Sequence, residues 1–374
     1  MANQLSNNWE GQGRPSCPEC GPYRPLRQIG SGAHGQVWLA DGPEGRVALK
    51  VCPRPSDPAL LEDWRREMRG WGLFSAIPRH EALVRVFATG ATADNCAFWV
   101  AMELADAEES DGAGNPDAYR PKTLASVADA EIALPFRDCL NIGLRLSAAL
   151  EHLQRHHLLH RDIKPGNILY VRGMPVIADA GLVVDAREAD SLVGTPGYVP
   201  PENHGTPQGD VFSLGKTLWR IATGRSPDAE TIAPCAEADT AEPLFGEFMG
   251  ILLRAMSPSP AKRFRSAKAL RKALARLRRK MASRKFERVT KPFLYVICLA
   301  LMLLVAWAYG RGFRVYHKRD LPEIGEDPLA PLREGIKSGK IHLLSDEEAE
   351  AIGRDAQRIA DEAASNLWES VNAL

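Results

Sequence analysis

Apolar residues recur along the chain in three rhythms, and each rhythm predicts a different kind of element. Short runs at Val47-Ala48-Leu49-Lys50, Leu83–Phe87, Phe98–Leu104, Ile168–Val171 and Val176–Ala178 have the length and composition of strands. Helical spacing runs through Phe136–His157, where Cys139, Leu140, Ile142, Leu146, Ala149, Leu150 and Leu153 share one face, and Leu158-Leu159 reads as that helix's end. Ser56-Asp57-Pro58 starts another helix, with a capping residue followed by proline at the first helical position. Further helices are expected around Asp210–Gly215 and onward to about residue 280.

The third rhythm is unbroken. Phe293–Tyr309 is 17 apolar residues without a charge, bounded by Lys291-Pro292 and Gly310-Arg311. At about 1.5 Å per residue it reaches roughly 26 Å, the short end of what spans a bilayer core of about 30 Å. Tyr295, Trp307 and Tyr309 suit the two interfaces, and flanking Lys and Arg side chains can snorkel to make up the difference. A helix apolar on every side would otherwise need a large protein body around it. The sequence therefore predicts one membrane span at 293–310, after a basic linker at 281–292. Lys272–Lys291 holds nine Lys and Arg, whereas Arg311–Ala330 holds four, offset by four acids. That asymmetry predicts a cell-membrane protein with residues before the span cytoplasmic and the tail, 311–374, external. No apolar signal stretch precedes the span, so nothing ahead of residue 293 is expected to be exported. In the tail, Ser345-Asp346-Glu347-Glu348 is a capping box ahead of an alanine-rich helical stripe. It can pair two copies as a homodimer, dock a partner, or stand as a solvated helix.

Charge and cysteine content change this picture little. Lys plus Arg and Asp plus Glu stand at 47 each, so the global basic excess of a nucleic-acid binder is missing. The seven cysteines are scattered and, in a reducing compartment, should be free thiols. Cys17-Pro18-Glu19-Cys20 resembles one knuckle of a zinc site, but a structural zinc needs four ligands and no second pair exists. Residues 1–23 therefore read as a flexible leader.

The chemistry concentrates in polar stretches set between these elements. His160-Arg161-Asp162-Ile163-Lys164-Pro165-Gly166-Asn167 puts an acid, two basic residues and an amide on one loop, a composition suited to moving a phosphate. Upstream, Gly30-Ser31-Gly32-Ala33-His34-Gly35-Gln36-Val37 lets backbone amides approach phosphate oxygens. A dinucleotide fold would need a helix directly after these glycines. Here a Gly-Pro-Glu-Gly turn and a strand ending in Lys50 follow instead, which selects a nucleotide lid. A buried lysine of this kind needs a carboxylate partner; Glu67 on the next helix is the first choice and Glu62 the second. Residues 106–121 are acidic and rich in Gly and Pro, and read as a surface insertion.

Taken in order, the glycine lid, Val-Ala-Leu-Lys50, Glu67, His160–Asn167, Asp179-Ala180-Gly181 and Gly194–Glu202 resemble the protein kinase catalytic domain. The likeness covers residues 24–280 and is to the bacterial, membrane-anchored serine/threonine type. It implies an α+β, two-lobed fold: a five-stranded antiparallel sheet plus one helix above, a mostly helical lobe below, and ATP between them. It also implies roles, residue by residue. Ile29, Gly30, Ser31, Gly32, Gly35 and Val37 would cover the nucleotide. Ala48, Leu169 and the hinge Met102, Glu103 and Leu104 would enclose the adenine. Lys50, aimed by Glu67, would hold the α- and β-phosphates. Asp162 would orient the attacking hydroxyl while Lys164 neutralises charge on the transferred group. Asn167 and Asp179 would hold Mg2+.

Further consequences of the likeness concern regulation and structure. Arg161 would pair with a phosphorylated residue on the activation segment, Ser191 first and Thr195 second, although Thr195 better matches the threonine that contacts Asp162 and Lys164. A Ser/Thr acceptor is favoured over tyrosine. Glu202 with Arg263, and Asp210, would be structural. Two positions depart from the pattern: Ala180 stands where phenylalanine is usual, which should cost packing under the Glu67 helix, and Pro200 stands where alanine is usual. The alternatives are a catalytically weak or inactive scaffold of the same fold, or a small-molecule kinase.

Overall fold

The computed structural model describes residues 18–32, 35–108, 118–128, 133–187, 194–202, 205–225, 244–283, 297, 300–302 and 330–339. The chain divides into two compact units, Met1–Thr290 and Lys291–Leu374.

The first unit begins with a five-stranded antiparallel sheet in the order β1-β2-β3-β5-β4. Its strands are β1 (Arg24–Gly32), β2 (Gly35–Gly42), β3 (Gly45–Pro53), β4 (Val86–Ala91) and β5 (Ala97–Glu103). Side chains alternate between its faces with the period of two that extended chain imposes. Val47, Leu49 and Val51 with Ala97, Trp99 and Ala101 pack one face, joined by Trp38, Cys20 and Tyr23. Ala48 and Cys52 with Phe98, Val100 and Met102 pack the other, which is continuous with the main core. This alternation turns Lys50, between Leu49 and Val51, inward. Cys20 and Tyr23, assigned to the flexible leader by the sequence, are buried on the sheet, and Tyr23 tilts against Trp99 at 5.5 Å.

Helix α1 (Pro58–Ala76) crosses the inner face. Asp57 caps it by accepting from the Ala59 amide, with Pro58 in its first turn, as the sequence predicts. The fourth strand begins at Val86, three residues later than its apolar run, because Leu83 instead bridges to Ile177 across the lobes.

The lower lobe is mostly helical: α2 (Leu124–Val127), α3 (Phe136–Arg155), α4 (Pro207–Thr223), α5 (Phe245–Ala255) and α6 (267–283). The apolar stripe predicted on α3 is its buried face. Leu158-Leu159, expected to end that helix, is instead a two-residue strand, β6, paired with β9 (Val184–Asp185). The helix stops at Arg155 because His157 takes a left-handed backbone, φ 59°. Between them β7 (Ile168–Val171) and β8 (Met174–Ile177) form a hairpin. Helix α4 is buried along most of its length; Thr206 caps its start and Gly224, at φ 69°, ends it. Glu202 takes both ends of the Arg263 guanidinium, whose Nη2 donates at 2.6 Å and whose plane lies 4.8 Å over the Phe212 ring.

In the second unit the described residues form a helix, α7 (Ala330–Lys337), that the sequence did not predict, and short helical pieces at Ile297 and Ala300–Met302. Among the described residues no helix is long and apolar enough to cross a membrane. The expected span at 293–310 falls mostly outside them, as does the helix expected from Ser345.

Candidate active site

The cleft between the lobes gathers most of the residues singled out from sequence. Its upper wall starts at the glycine lid, where β1 pairs with β2 through Gly32 and Gly35. Gly35 has φ 140°, and a Cβ there would stand 2.4 Å from the Val51 carbonyl oxygen, so no other residue fits. Ala33 and His34 lie outside the described residues. Ala48 and Met102 are buried in the main core, with Val37, Leu104 and Leu169 packed against it. The hinge beyond Glu103 is pinned: the Asp106 amide donates to the Tyr170 carbonyl at 2.7 Å, and the Tyr119 hydroxyl donates to the Ala105 carbonyl at 3.0 Å. The two ends of the 106–121 insertion are tied to each other, with Glu108 donating to Arg120 and Lys122 to Asp106.

Lys50 is the charged centre of that wall. Its Nζ lies 2.7 Å from Glu67 Oε1 and 2.9 Å from Asp179 Oδ1, and 5.6 Å from the centroid of the buried Trp71 ring. Glu67 is therefore its helix partner; Glu62 pairs with Arg69 on the surface. Burial alone would drive the lysine toward neutrality, but the Asp179 and Glu67 carboxylates reverse this and hold its pKa above the ordinary lysine value. Cys52, which the sequence did not mark, completes the cluster. Its Sγ is 3.7 Å from Glu67 Oε1, and burial, then Glu67, push the thiol well above its usual pKa, so it stays protonated as a donor.

Below, the loop His160–Asn167 is held by its backbone. The His160 and Arg161 amides donate to the two oxygens of Asp210 at 2.9 and 2.8 Å, and His160 Nε2 meets the Ala178 carbonyl at 3.1 Å. Arg161 sits at φ 71° and Asp179 at φ 58°, left-handed conformations that cost an ordinary residue about 1–2 kcal/mol. Such strain persists only where the surroundings enforce it. The Asp162 carboxylate then gathers three groups. Lys164 Nζ stands 2.9 Å from Oδ2, Asn167 Nδ2 donates to Oδ2 at 2.7 Å, and the Thr195 hydroxyl donates to Oδ1 at 2.7 Å. Thr195 also accepts from Lys164 Nζ at 2.6 Å. Thr195 is thus engaged with the acid and the lysine, as its second predicted role requires; a phosphate there would face Asp162. Ser191 lies outside the described residues.

Asn167 and Asp179 fit a magnesium ion. The amide nitrogen of Asn167 is used on Asp162, which leaves its Oδ1 as an oxygen donor, and the Asp179 side chain is 43% exposed beside Lys50. Magnesium takes hard oxygen ligands, typically one or two carboxylates plus substrate phosphates. Although part exposed, the Asp179 carboxylate loses some of its water in the fold, which would raise its pKa, but Lys50 more than offsets this and the net shift is downward, which keeps the carboxylate charged.

The substitution at Ala180 has a structural answer that the sequence did not reveal. Ala180 is fully buried in the short turn Ala180–Leu182, whose backbone lies directly against Gly70 of α1.

A model of the protein kinase domain matches residues 23–284. The chain belongs to the protein kinase family. Among curated relatives, the serine/threonine-protein kinase PknK of Mycobacterium tuberculosis is 32% identical over 213 residues, which is 54% of this chain and 18% of PknK. PknA of the same species is 32% identical over 226 residues, 56% of this chain and 48% of PknA. The chain spans less than half the length of either relative. The crystal structure of a mutant PknI kinase domain from M. tuberculosis superposes with a TM-score of 0.51 at 25% identity, covering 68% of this chain and 95% of that one. The kinase family thus accounts for the two-lobed architecture.

Proposed function

We propose that this chain is an active serine/threonine protein kinase that transfers the γ-phosphoryl group of ATP to protein hydroxyls, its own included. The observation that carries this reading is the closed set Asp162–Thr195–Lys164, with every contact between 2.6 and 2.9 Å. Phosphoryl transfer asks the protein mainly for positioning and charge stabilisation. Asp162 stands ready to accept the proton of an incoming hydroxyl, Lys164 to neutralise charge on the group in flight, and Lys50 to hold the α- and β-phosphates. Magnesium, bound at Asn167 and Asp179, would supply further charge neutralisation on the phosphate oxygens. Thr195, which ties the acid to the lysine, supports a Ser/Thr acceptor, and the PknK and PknA names agree with that class.

The run at 293–310 and its basic flank support membrane anchoring, with the kinase domain cytoplasmic, the tail external, and signalling from that position. The test is transfer of label from γ-labelled ATP by the full chain in native membranes, with Asp162→Asn beside it. Labelled serine or threonine in the wild type and none in the variant is expected; no label in either leaves a scaffold of kinase shape. Protease added outside intact cells should remove an epitope at residue 374 and spare one at residue 1, and the reverse pattern overturns the orientation.

A further inference from the structure

Glu67 pairs with Lys50 from α1, and that helix lies close against the turn that follows Asp179, with backbone carbonyls of the turn facing Gly70. A Cβ on Gly70 would stand 2.9 Å from the Ala180 carbonyl oxygen, 2.9 Å from that of Val183 and 3.0 Å from that of Gly181. From the other side, a Cβ on Gly181 would stand 2.9 Å from Glu67 Oε1 and 3.0 Å from its Cγ. Any side chain at either position would displace the helix, the turn or Glu67 itself.

Gly70 is not explained by its own conformation, because it does not have the left-handed φ that favours glycine. In mid-helix it costs about 1 kcal/mol relative to alanine. Gly72, two residues on, meets nothing within 4 Å. The specific feature of Gly70 is the row of three carbonyls against it, and the buried residue beneath is Ala180, the small residue at a position where the family carries a large one.

We propose that Gly70 is a positioning residue: it lets α1 sit against the backbone carbonyls of the Ala180–Val183 turn, while Gly181 leaves room for the Glu67 side chain, and together they fix Glu67 on Lys50. In this chain the missing side chain at Ala180 is matched by a missing side chain on the helix above it. The inference rests on the reading that Glu67 and Lys50 orient ATP.

The experiment is a double-mutant cycle in the full chain, measuring kcat and KM for ATP in phosphoryl transfer and, separately, ATP affinity by calorimetry. Gly70→Ala should lower kcat/KM for ATP by tenfold or more, whereas Gly72→Ala, on the same helix, should stay within twofold of wild type. If Gly70 acts through Glu67, adding Gly70→Ala to Glu67→Gln should cost less than a further twofold. A helix-stability effect would multiply through instead, and that result overturns the proposal, as does a Gly70→Ala variant within twofold of wild type. Should Gly70→Ala not give a cooperative thermal transition, Gly181→Ala is put through the same cycle with the same criteria. A wild type that binds ATP without transferring phosphate defeats the kinase reading alone, and the cycle is then read in binding constants.

Discussion

Asp210→Ala is the most direct test of how the His160–Asn167 loop is held. The Asp210 carboxylate is buried and accepts the His160 and Arg161 amides at 2.9 and 2.8 Å. Burial pushes its pKa up, against the pull of these two donors and the charge of Arg161. Alanine removes both acceptors and leaves two buried N–H groups unsatisfied, at about 1–3 kcal/mol each. The loss of about 2–6 kcal/mol is large against the roughly 5–15 kcal/mol that stabilises a typical domain. The left-handed Arg161 backbone limits the loss, because the strain of about 1–2 kcal/mol that it carries is relieved if the loop lets go. Hydrogen exchange reads the site directly. At about 1.4 kcal/mol per factor of ten, the amides of residues 160 and 161 should exchange at least tenfold faster, with a lower thermal midpoint. Asp210→Asn keeps one acceptor but turns a donor toward the other N–H, so it should fall between wild type and alanine. Unchanged protection at 160–161 in the alanine variant would refute the argument that these two bonds hold the loop.

Other perturbations follow from the same geometry. Arg263→Ala strands the partly buried Glu202 and removes a guanidinium stacked on Phe212; breaking a buried pair costs about 3–5 kcal/mol, readable as a drop in urea midpoint, and a neutral result would show that the pair is solvated. Thr195→Ala removes hydrogen bonds to two charged groups, each about 1.5–3 kcal/mol, so kcat should fall by about 100-fold or more with KM for ATP little changed; a selective rise in KM would place Thr195 on the nucleotide side instead. Stability should also vary below neutrality. Burial, then His152, lower the His80 pKa, while Glu81 opposes and Arg145 and Arg155 reinforce the shift. The unfolded chain therefore binds this proton more readily, and stability should fall as pH drops below about 6.5. His80→Gln should flatten the melting temperature between pH 7.5 and 5.5, and an unchanged slope would assign the dependence to other groups.

How far the sequence could be read depended on what each residue's role required. Lys50, Glu67, Asp162, Lys164, Asn167 and Asp179 could be singled out because the proposed chemistry demands particular side chains in a fixed order along the chain, and the structure brings Lys50 to Glu67 and Asp179, and Asp162 to Lys164 and Asn167. The strands of the upper sheet were legible in the same way, since two-faced burial forces Val47–Val51 and Ala97–Met102 into alternation. What could not be read was set by contacts remote in sequence. Cys52 became part of the site because β3 turns it onto Glu67, and Leu158-Leu159 became a strand because Val184 and Asp185 arrive to pair with it. Nothing within either local stretch announces those partners.

Ala180 shows the limit most sharply. Considered alone, the loss of a large apolar side chain beneath α1 implies a cavity, and a cavity implies a loosened helix and a weakened Lys50–Glu67 pair. The structure keeps that pair at 2.7 Å with the helix close against the turn, and the residue that leaves room for this approach, Gly70, lies 110 positions earlier among charged and bulky neighbours. A glycine in mid-helix reads locally as a weakness of about 1 kcal/mol. Paired with Ala180, it trades an interlocking side chain for close backbone contact. A side chain can rotate out of its pocket by changing rotamer, whereas three carbonyls against a glycine separate only if the whole helix moves.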